Sequence, residues 1–252
     1  LARAARELGP GDLLVLCYSG HGGQVPNTNG DDEADDMDET WCMFDREVVD
    51  DELFGAFSRF GAGVRILVLS DSCHSGTVVR MREADAAWRA GAAIHRADVA
   101  APVAASARSD GRRGSLLHEP PERDGPRAPG TPEDDVPVPR AIPLDACMDI
   151  YNRNRVLYDT IQSSNPLGDR AGCAASVLLI SGCQDHQLSG DLPSNGVFTG
   201  TLKRVWNNGG FDGTHRQFHA AIAARMPSHQ QPNLFTVGAA AEGFVGQRPF
   251  TI

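Results

Sequence analysis

The chain has 252 residues and a formal net charge of -10, with 41% hydrophobic and 22% charged residues. That composition belongs to an ordinary globular protein long enough to bury a substantial core, and its acidity speaks against nucleic acid as a partner, because phosphate binding needs a basic surface. No apolar run approaches the roughly 20 residues that span a bilayer, so a membrane helix is excluded too.

Residues 1–8 form an Ala-rich stretch that predicts a helix, stopped by Gly9-Pro10-Gly11. Leu13 to Tyr18 is a continuous apolar run, the pattern of a strand buried on both faces. An acidic loop, rich in Asn and Gly, is expected from Asn27 to Glu39 and reads as a solvated surface. Asp50 is placed to cap a helix reaching Phe60, with Leu53, Phe54 and Phe57 on one face. Val64 to Leu69 is a second buried-strand candidate, and strand–helix–strand in this order predicts a parallel pair.

Composition then changes. Between Arg96 and Pro143 large apolar residues are few, and 8 of the 16 prolines fall between Pro120 and Pro143. Such a stretch buries too little to offset its ordering entropy, so it reads as a flexible insert. Order is expected to return with a helix within Ala141 to Gln162, followed by a third buried strand, Ser176 to Ser181. A helix from Val197 to Asn207 aligns Phe198, Leu202 and Trp206, with Gly209-Gly210 as its stop. A last helix, Thr214 to Arg225, presents Phe218 and Ile222, and Leu234 to Val237 is a final strand. The division is 1–95, insert 96–143, and 144–252, within a single domain.

In open parallel sheets, functional groups collect beyond the carboxyl ends of the strands. The two best strands lead into YSGHGG and SDSCHSG, which bring His21 and Cys73 to the same edge. Neighbouring strands lie about 5 Å apart. A thiol becomes a nucleophile beside a base or a cation, and imidazole serves as either. The N–H groups of Gly22 and Cys73 are candidate donors to a developing oxyanion. His74 is a rival base, ranked below His21 because adjacent side chains point apart. His215 and His219 lie four apart on a helix but lack a third ligand, so they read as surface residues. Asp185 and Asp191 read as turn residues.

YSGHGG followed by DSCHSG resembles the catalytic pair of the metacaspases and orthocaspases. DETWCMFD, VVDDEL, SGCQDHQLSGD and GVFTGTL extend the resemblance over most of the chain outside the insert. It implies a caspase-haemoglobinase fold: a central, mainly parallel sheet flanked by helices in three α/β/α layers. It also implies thiol-dependent peptide hydrolysis, with His21 as base and Cys73 as nucleophile. Asp71 and Ser19 match pocket residues, and an acid there pairs with a guanidinium or ammonium, so cleavage is expected after Arg or Lys. No cofactor is required. The family's calcium carboxylates correspond to Asp38, Asp50 and Asp51, a start for a hard cation that wants several oxygens. Arg80, however, stands where a further carboxylate is expected, which argues against calcium dependence. The family's first strand has no match before Leu1, so the chain is expected to begin short of it.

The insert sits where caspase-like enzymes are cut during activation. It offers Arg112, Arg113, Arg123 and Arg127, with Arg108 and Arg140, to self-processing or to an upstream protease. The expected partners are protein or peptide substrates, with no nucleic acid and no membrane, and a monomer is expected. Lys203 is the only lysine among the basic residues, a bias that points to a GC-rich, bacterial genome. Six cysteines without a C-x-x-C pair point to a reducing, cytoplasmic setting, with Cys17, Cys42 and Cys183 expected as buried thiols. Alternatives are a transpeptidase or ligase that uses the same acyl-enzyme, and a silent scaffold. A scaffold has no need of both His21 and Cys73.

Overall fold

A computed structural model of the chain describes residues 1–29, 37–72, 138–165, 173–183, 190–191, 196–238 and 240–252. The apolar runs pair side by side. Strands β1 (Leu13–Ser19), β5 (Arg65–Asp71) and β7 (Ser176–Ser181) are parallel neighbours, and β9 (Asn233–Val237) adds to β7 antiparallel. The sheet order is β1-β5-β7-β9.

Alternation along the strands sorts side chains into two cores. Leu67, Leu69, Leu178 and Ile180 pack with Phe198, Phe218, Ile222 and Phe244. These last come from α5 (Val197–Trp206), α6 (His215–Ala223) and α7 (Ala241–Val245). Ile66, Val68 and Val177 point the other way, onto Trp41, Phe57 and Phe60, so α2 (Asp50–Phe57) covers the second face. Each such fully buried side chain contributes about 1.5–3 kcal/mol. The result is the expected mainly parallel α/β/α arrangement.

Several expectations change in detail. β1 lies at the edge of the sheet, and its residues are half-buried or exposed, so it is not buried on both faces. Val15 is 39% exposed and Cys17 is exposed, whereas Leu14 and Leu16 on the other face pack against the second core. The first helix shrinks to α1 (Ala4–Glu7). Helix α2 stops at Phe57 and continues only as a turn, Phe60 N–H donating to Phe57 O at 3.1 Å.

The acidic loop ends earlier than predicted. β3 (Met37–Cys42) pairs with β2 (Gly22–Pro26) and β4 (Glu47–Val49) in a small antiparallel sheet, and Asp38 within it is only 1% exposed. Val25 and Val49 of this sheet pack on Tyr151 and Tyr158. The tyrosines belong to α3 (Leu144–Arg153) and α4 (Arg155–Ser164), one predicted helical region broken at Asn154.

The predicted insert gives way to order before Ala141. Val138–Pro139 forms β6, which pairs antiparallel with β8 (Gly190–Asp191). Backbone bonds and a buried ion pair stand in there for the apolar burial that the composition lacks. Helix α5 ends through left-handed Asn207 (φ 49°), ahead of the predicted glycine stop. Thr214 caps α6 with Gln217 in a capping box. His215, expected at the surface, is fully buried, because the first turn of α6 tucks under Phe244. Among the described residues no helix is long and apolar enough to cross a membrane.

Candidate active site

Strands β1 and β5 run in register, so Ser19 lies opposite Asp71 at their carboxyl ends. Gly20 N–H closes the edge by donating to Asp71 O at 3.3 Å. The next residue, His21, is exposed, but its backbone is clamped. Its carbonyl accepts from Cys42 N–H at 3.0 Å and from the Tyr18 hydroxyl at 2.7 Å. The Tyr18 ring stacks on Trp41 with centroids 4.6 Å apart. Burial, reinforced by the nearby Cys42 thiol, pushes the Tyr18 hydroxyl up to about 12. It therefore stays protonated and remains a donor.

The Asp71 side chain is 2% exposed and meets Arg140, itself 9% exposed, at 3.3 Å. The same Arg140 nitrogen, Nη1, donates to Ser19 Oγ at 2.6 Å and to Asp71 O at 2.9 Å. Asp71 Oδ2 also accepts from Thr199 N–H at 3.1 Å and from the Thr199 hydroxyl at 2.5 Å. Thr199 lies in the first turn of α5, where free N–H groups and the helix dipole favour an anion. Gly196 completes the wall: a Cβ there would collide with Asp71 Oδ2 and stand 3.0 Å from Arg140 Cζ. The result is a small acid-floored pocket that holds a guanidinium.

The backbone on either side of Arg140 is fixed too. Arg140 O accepts from Gly22 N–H at 2.9 Å, and Ile142 N–H donates to Gly22 O at 2.9 Å. Upstream, Val138 pairs with Asp191 and Pro139 with Gly190. Residues 138–142 thus cross the sheet edge as an extended peptide beside His21.

The end of β5 is held firmly up to Ser72. Ser70 and Ser72 hydroxyls share a buried hydrogen bond of 2.9 Å, and Cys183 Sγ donates to Ser72 O at 3.2 Å. Cys73, His74, Arg80, Arg108, Arg112, Arg113, Arg123, Arg127 and Asp185 lie outside the described residues. Asp191 was read as a turn residue; its backbone is instead in β8. Burial raises the thiols of Cys17, Cys147 and Cys173 and pushes Cys42 up to about 12. None of these four is prepared as a thiolate.

Of the calcium candidates, Asp38 and Asp51 are 1% and 3% exposed. Asp51 Oδ2 accepts from Asn29 Nδ2 at 2.7 Å, and Asp50 Oδ1 accepts from Asp51 N–H at 2.9 Å. Among the described residues, no three His, Cys, Asp or Glu side chains converge as a metal requires. Oxygen donors are present, but the described residues alone do not make a cage.

Sequence reasoning named Arg140 only as a possible cut point and missed its place against Asp71. It also missed Thr199, Gly196 and Tyr18. A lone arginine in an arginine-rich stretch carries no signal. The tyrosine two residues before the glycine of YSGHGG is a legible one.

The fold has a solved counterpart. The fold matches a crystal structure of protein GSU0716 from Geobacter sulfurreducens with a TM-score of 0.71 and 44% identity, covering 99% of this chain and 75% of that one. Residues 2–82 match the model of the metacaspase, peptidase C14 domain. Metacaspase-1 of Arabidopsis thaliana is 47% identical over 74 residues, 27% of this chain and 20% of that protein. Metacaspase-1 of Mycosarcoma maydis is 28% identical over 196 residues, 76% of this chain and 42% of that protein. The chain thus spans less than half the length of these two curated relatives. Fold and relatives together define a caspase-like α/β protein. Within that class, the chain belongs to the metacaspase family of peptidase C14.

Proposed function

We propose that this chain is a cysteine endopeptidase that cleaves after Arg or Lys, with Cys73 as nucleophile and His21 as general base. The observation that carries the reading is the guanidinium held at the end of β5 by Asp71 and Ser19. A carboxylate 2% exposed at the floor of a cleft selects a cationic side chain and rejects an acidic one. The raised thiols of Cys17, Cys42, Cys147 and Cys173, and the buried Cys183 thiol that donates to Ser72 O, support Cys73 by elimination, as does its position directly after the anchored Ser72.

In this reading the Cys73 thiolate attacks the carbonyl carbon that follows the cationic residue. The developing oxyanion takes the N–H of Gly22, with that of Cys73 as second donor. His21 gives its proton to the leaving amine, and water releases the acyl-enzyme. The substrates are proteins or peptides, and activation by an upstream protease acting in the arginines of the insert is compatible with this scheme. Five cysteines among the described residues are free thiols, which supports a reducing, cytoplasmic setting.

Fluorogenic peptides ending in Arg, Lys or Asp test this directly. Arg and Lys peptides are cleaved and the Asp peptide is not. Cys73→Ala and His21→Ala each reduce the rate by about 100-fold or more. Equal cleavage of Arg and Asp peptides overturns the pocket; unchanged rates in either variant overturn the dyad.

A further inference from the structure

We propose that Glu47 is a positioning residue for His21, one that steadies the histidine loop only while its buried carboxyl is neutral. The inference rests on the peptidase reading above for the role of His21. Every residue that carries it is among those described.

Glu47 stands directly opposite Cys42 in the β3–β4 pair. Cys42 is the residue that grips the histidine loop. Its N–H donates to His21 O at 3.0 Å, and the Tyr18 hydroxyl bridges the carbonyls of Cys42 and His21. The Glu47 carboxyl also reaches β2. Gly23 has no side chain, and a Cβ there would stand 3.1 Å from Thr40 Oγ1 and 3.2 Å from both Glu47 Oε1 and Cys147 Sγ. Strands β2, β3 and β4 and helix α3 therefore close on one carboxyl, next to Gly22, whose N–H is assigned to the oxyanion.

That carboxyl is well placed to be neutral and badly placed to be charged. It is 2% exposed; Oε2 accepts from the Thr40 hydroxyl at 3.0 Å, and Oε1 is buried without a hydrogen-bond partner among the described residues. The titratable groups that face it are Cys42 from β3, Cys147 from α3, Tyr158 from α4 and Tyr18 from β1. Burial raises each of them, so they stay neutral and offer no counter-charge. The neighbouring cation, Arg46, is turned away from it. Its Nη1 and Nη2 donate to the two carboxylate oxygens of Glu52, at 2.8 and 2.7 Å.

A lone carboxylate in such a place must draw in water or swing outward. Either movement parts Glu47 from Thr40 and strains the β3–β4 pair at Cys42. The Cys42 N–H then loses its fixed position beneath His21 O, and the imidazole loses its aim. The acid-floored pocket is on the other face of the sheet and is left alone. Turnover is therefore lost as pH rises through the folded value of Glu47, while substrate binding is kept.

The test is kcat and KM on an Arg peptide from about pH 5 to about pH 9, for wild type, Glu47→Gln and Thr40→Val. Tryptophan fluorescence is followed over the same range, because Trp41 stacks on Tyr18 and senses movement of β3. Wild type should lose kcat about tenfold on the alkaline side, with KM within about twofold and a step in fluorescence. Glu47→Gln keeps the neutral shape at every pH. Its alkaline limb should lie about one pH unit or more higher, with no fluorescence step. Thr40→Val removes the bond that favours the charged form, so its limb should move the same way. An active Glu47→Gln whose kcat follows the wild-type pH profile overturns the inference and leaves the peptidase reading standing. Should Glu47→Gln fail to fold, a wild-type profile in Thr40→Val overturns it equally. A falling wild-type kcat without a fluorescence step does so too. If wild type is inert at every pH, the peptidase reading falls and the inference with it.

Discussion

The Tyr18 hydroxyl lies 2.7 Å from the carbonyl oxygen of His21 and 3.0 Å from that of Cys42, so one donor ties the histidine loop to β3. The imidazole is exposed, and its aim depends on the backbone beneath it. Tyr18→Phe keeps the stack on Trp41 and removes only the hydrogen bond. Stability should fall by about 1 kcal/mol. With a loosened loop, kcat on an Arg peptide should fall about tenfold while KM stays within about twofold. Steady-state kinetics with a parallel melting curve check both, and an unchanged kcat would detach Tyr18 from the work of His21.

Asp71 holds both Arg140 and the first turn of α5 through Thr199. Asp71→Asn separates the two roles, because an amide oxygen still accepts from Thr199 but carries no charge. The preference for Arg should drop by about 10–150-fold in kcat/KM, the worth of a charge-assisted bond. The melting temperature should change little by comparison. A collapse of the fold with no selective loss on Arg would make the residue a helix cap and nothing more.

His215 is fully buried, with Nδ1 at 3.0 Å from Phe244 O, so that nitrogen carries the proton, and Nε2 has no hydrogen-bond partner among the described residues. Burial, with Arg65 adding to it, lowers its value below 6.5. The unfolded chain therefore takes up a proton here before the folded one does. Stability is complete above about pH 6.5 and falls as the pH drops toward the folded value, by up to about 1.4 kcal/mol per pH unit. Melting curves from about pH 7.5 down to about pH 5 should show this slope, and His215→Gln should flatten it.

Glu47 has the opposite sign. It is 2% exposed, takes the Thr40 hydroxyl at 3.0 Å, and burial raises its carboxyl above the usual value. The folded state holds this proton more tightly than the unfolded chain, so stability is lost as pH rises through the folded value. Measured against wild type, Glu47→Gln should become progressively more favourable from about pH 4 to about pH 8. A difference that does not vary with pH would mean that the carboxyl ionises freely.

What the sequence made legible follows from how many residues carry each signal. The runs from Leu13, Val64 and Ser176 are strands because several consecutive apolar side chains must be buried, and they mark the sheet and its functional edge. The small sheet around Gly22, Asp38 and Val48 stayed hidden. Its strands are short, mix glycine with acids, and owe their burial to Tyr151 and Tyr158 far along the chain. Arg140 was hidden for a related reason. Composition reads proline and arginine as solvated, whereas one buried carboxylate and an open sheet edge are enough to order six residues, 138–143. His215 was misjudged because helical spacing gives the face of a residue but not what leans on it.

The tether through residues 138–142 has a kinetic consequence. A peptide joined to the body that binds it meets its site at an effective concentration on the order of millimolar, set by the chain and indifferent to dilution. In the proposed reading, a free cationic peptide at micromolar level competes against that for Asp71 and loses. Occupancy of the cleft by its own chain would then be a first-order property of each molecule. Assays on the intact protein would report the rate at which this internal guest departs, and crowding the solution with substrate would hardly hasten it.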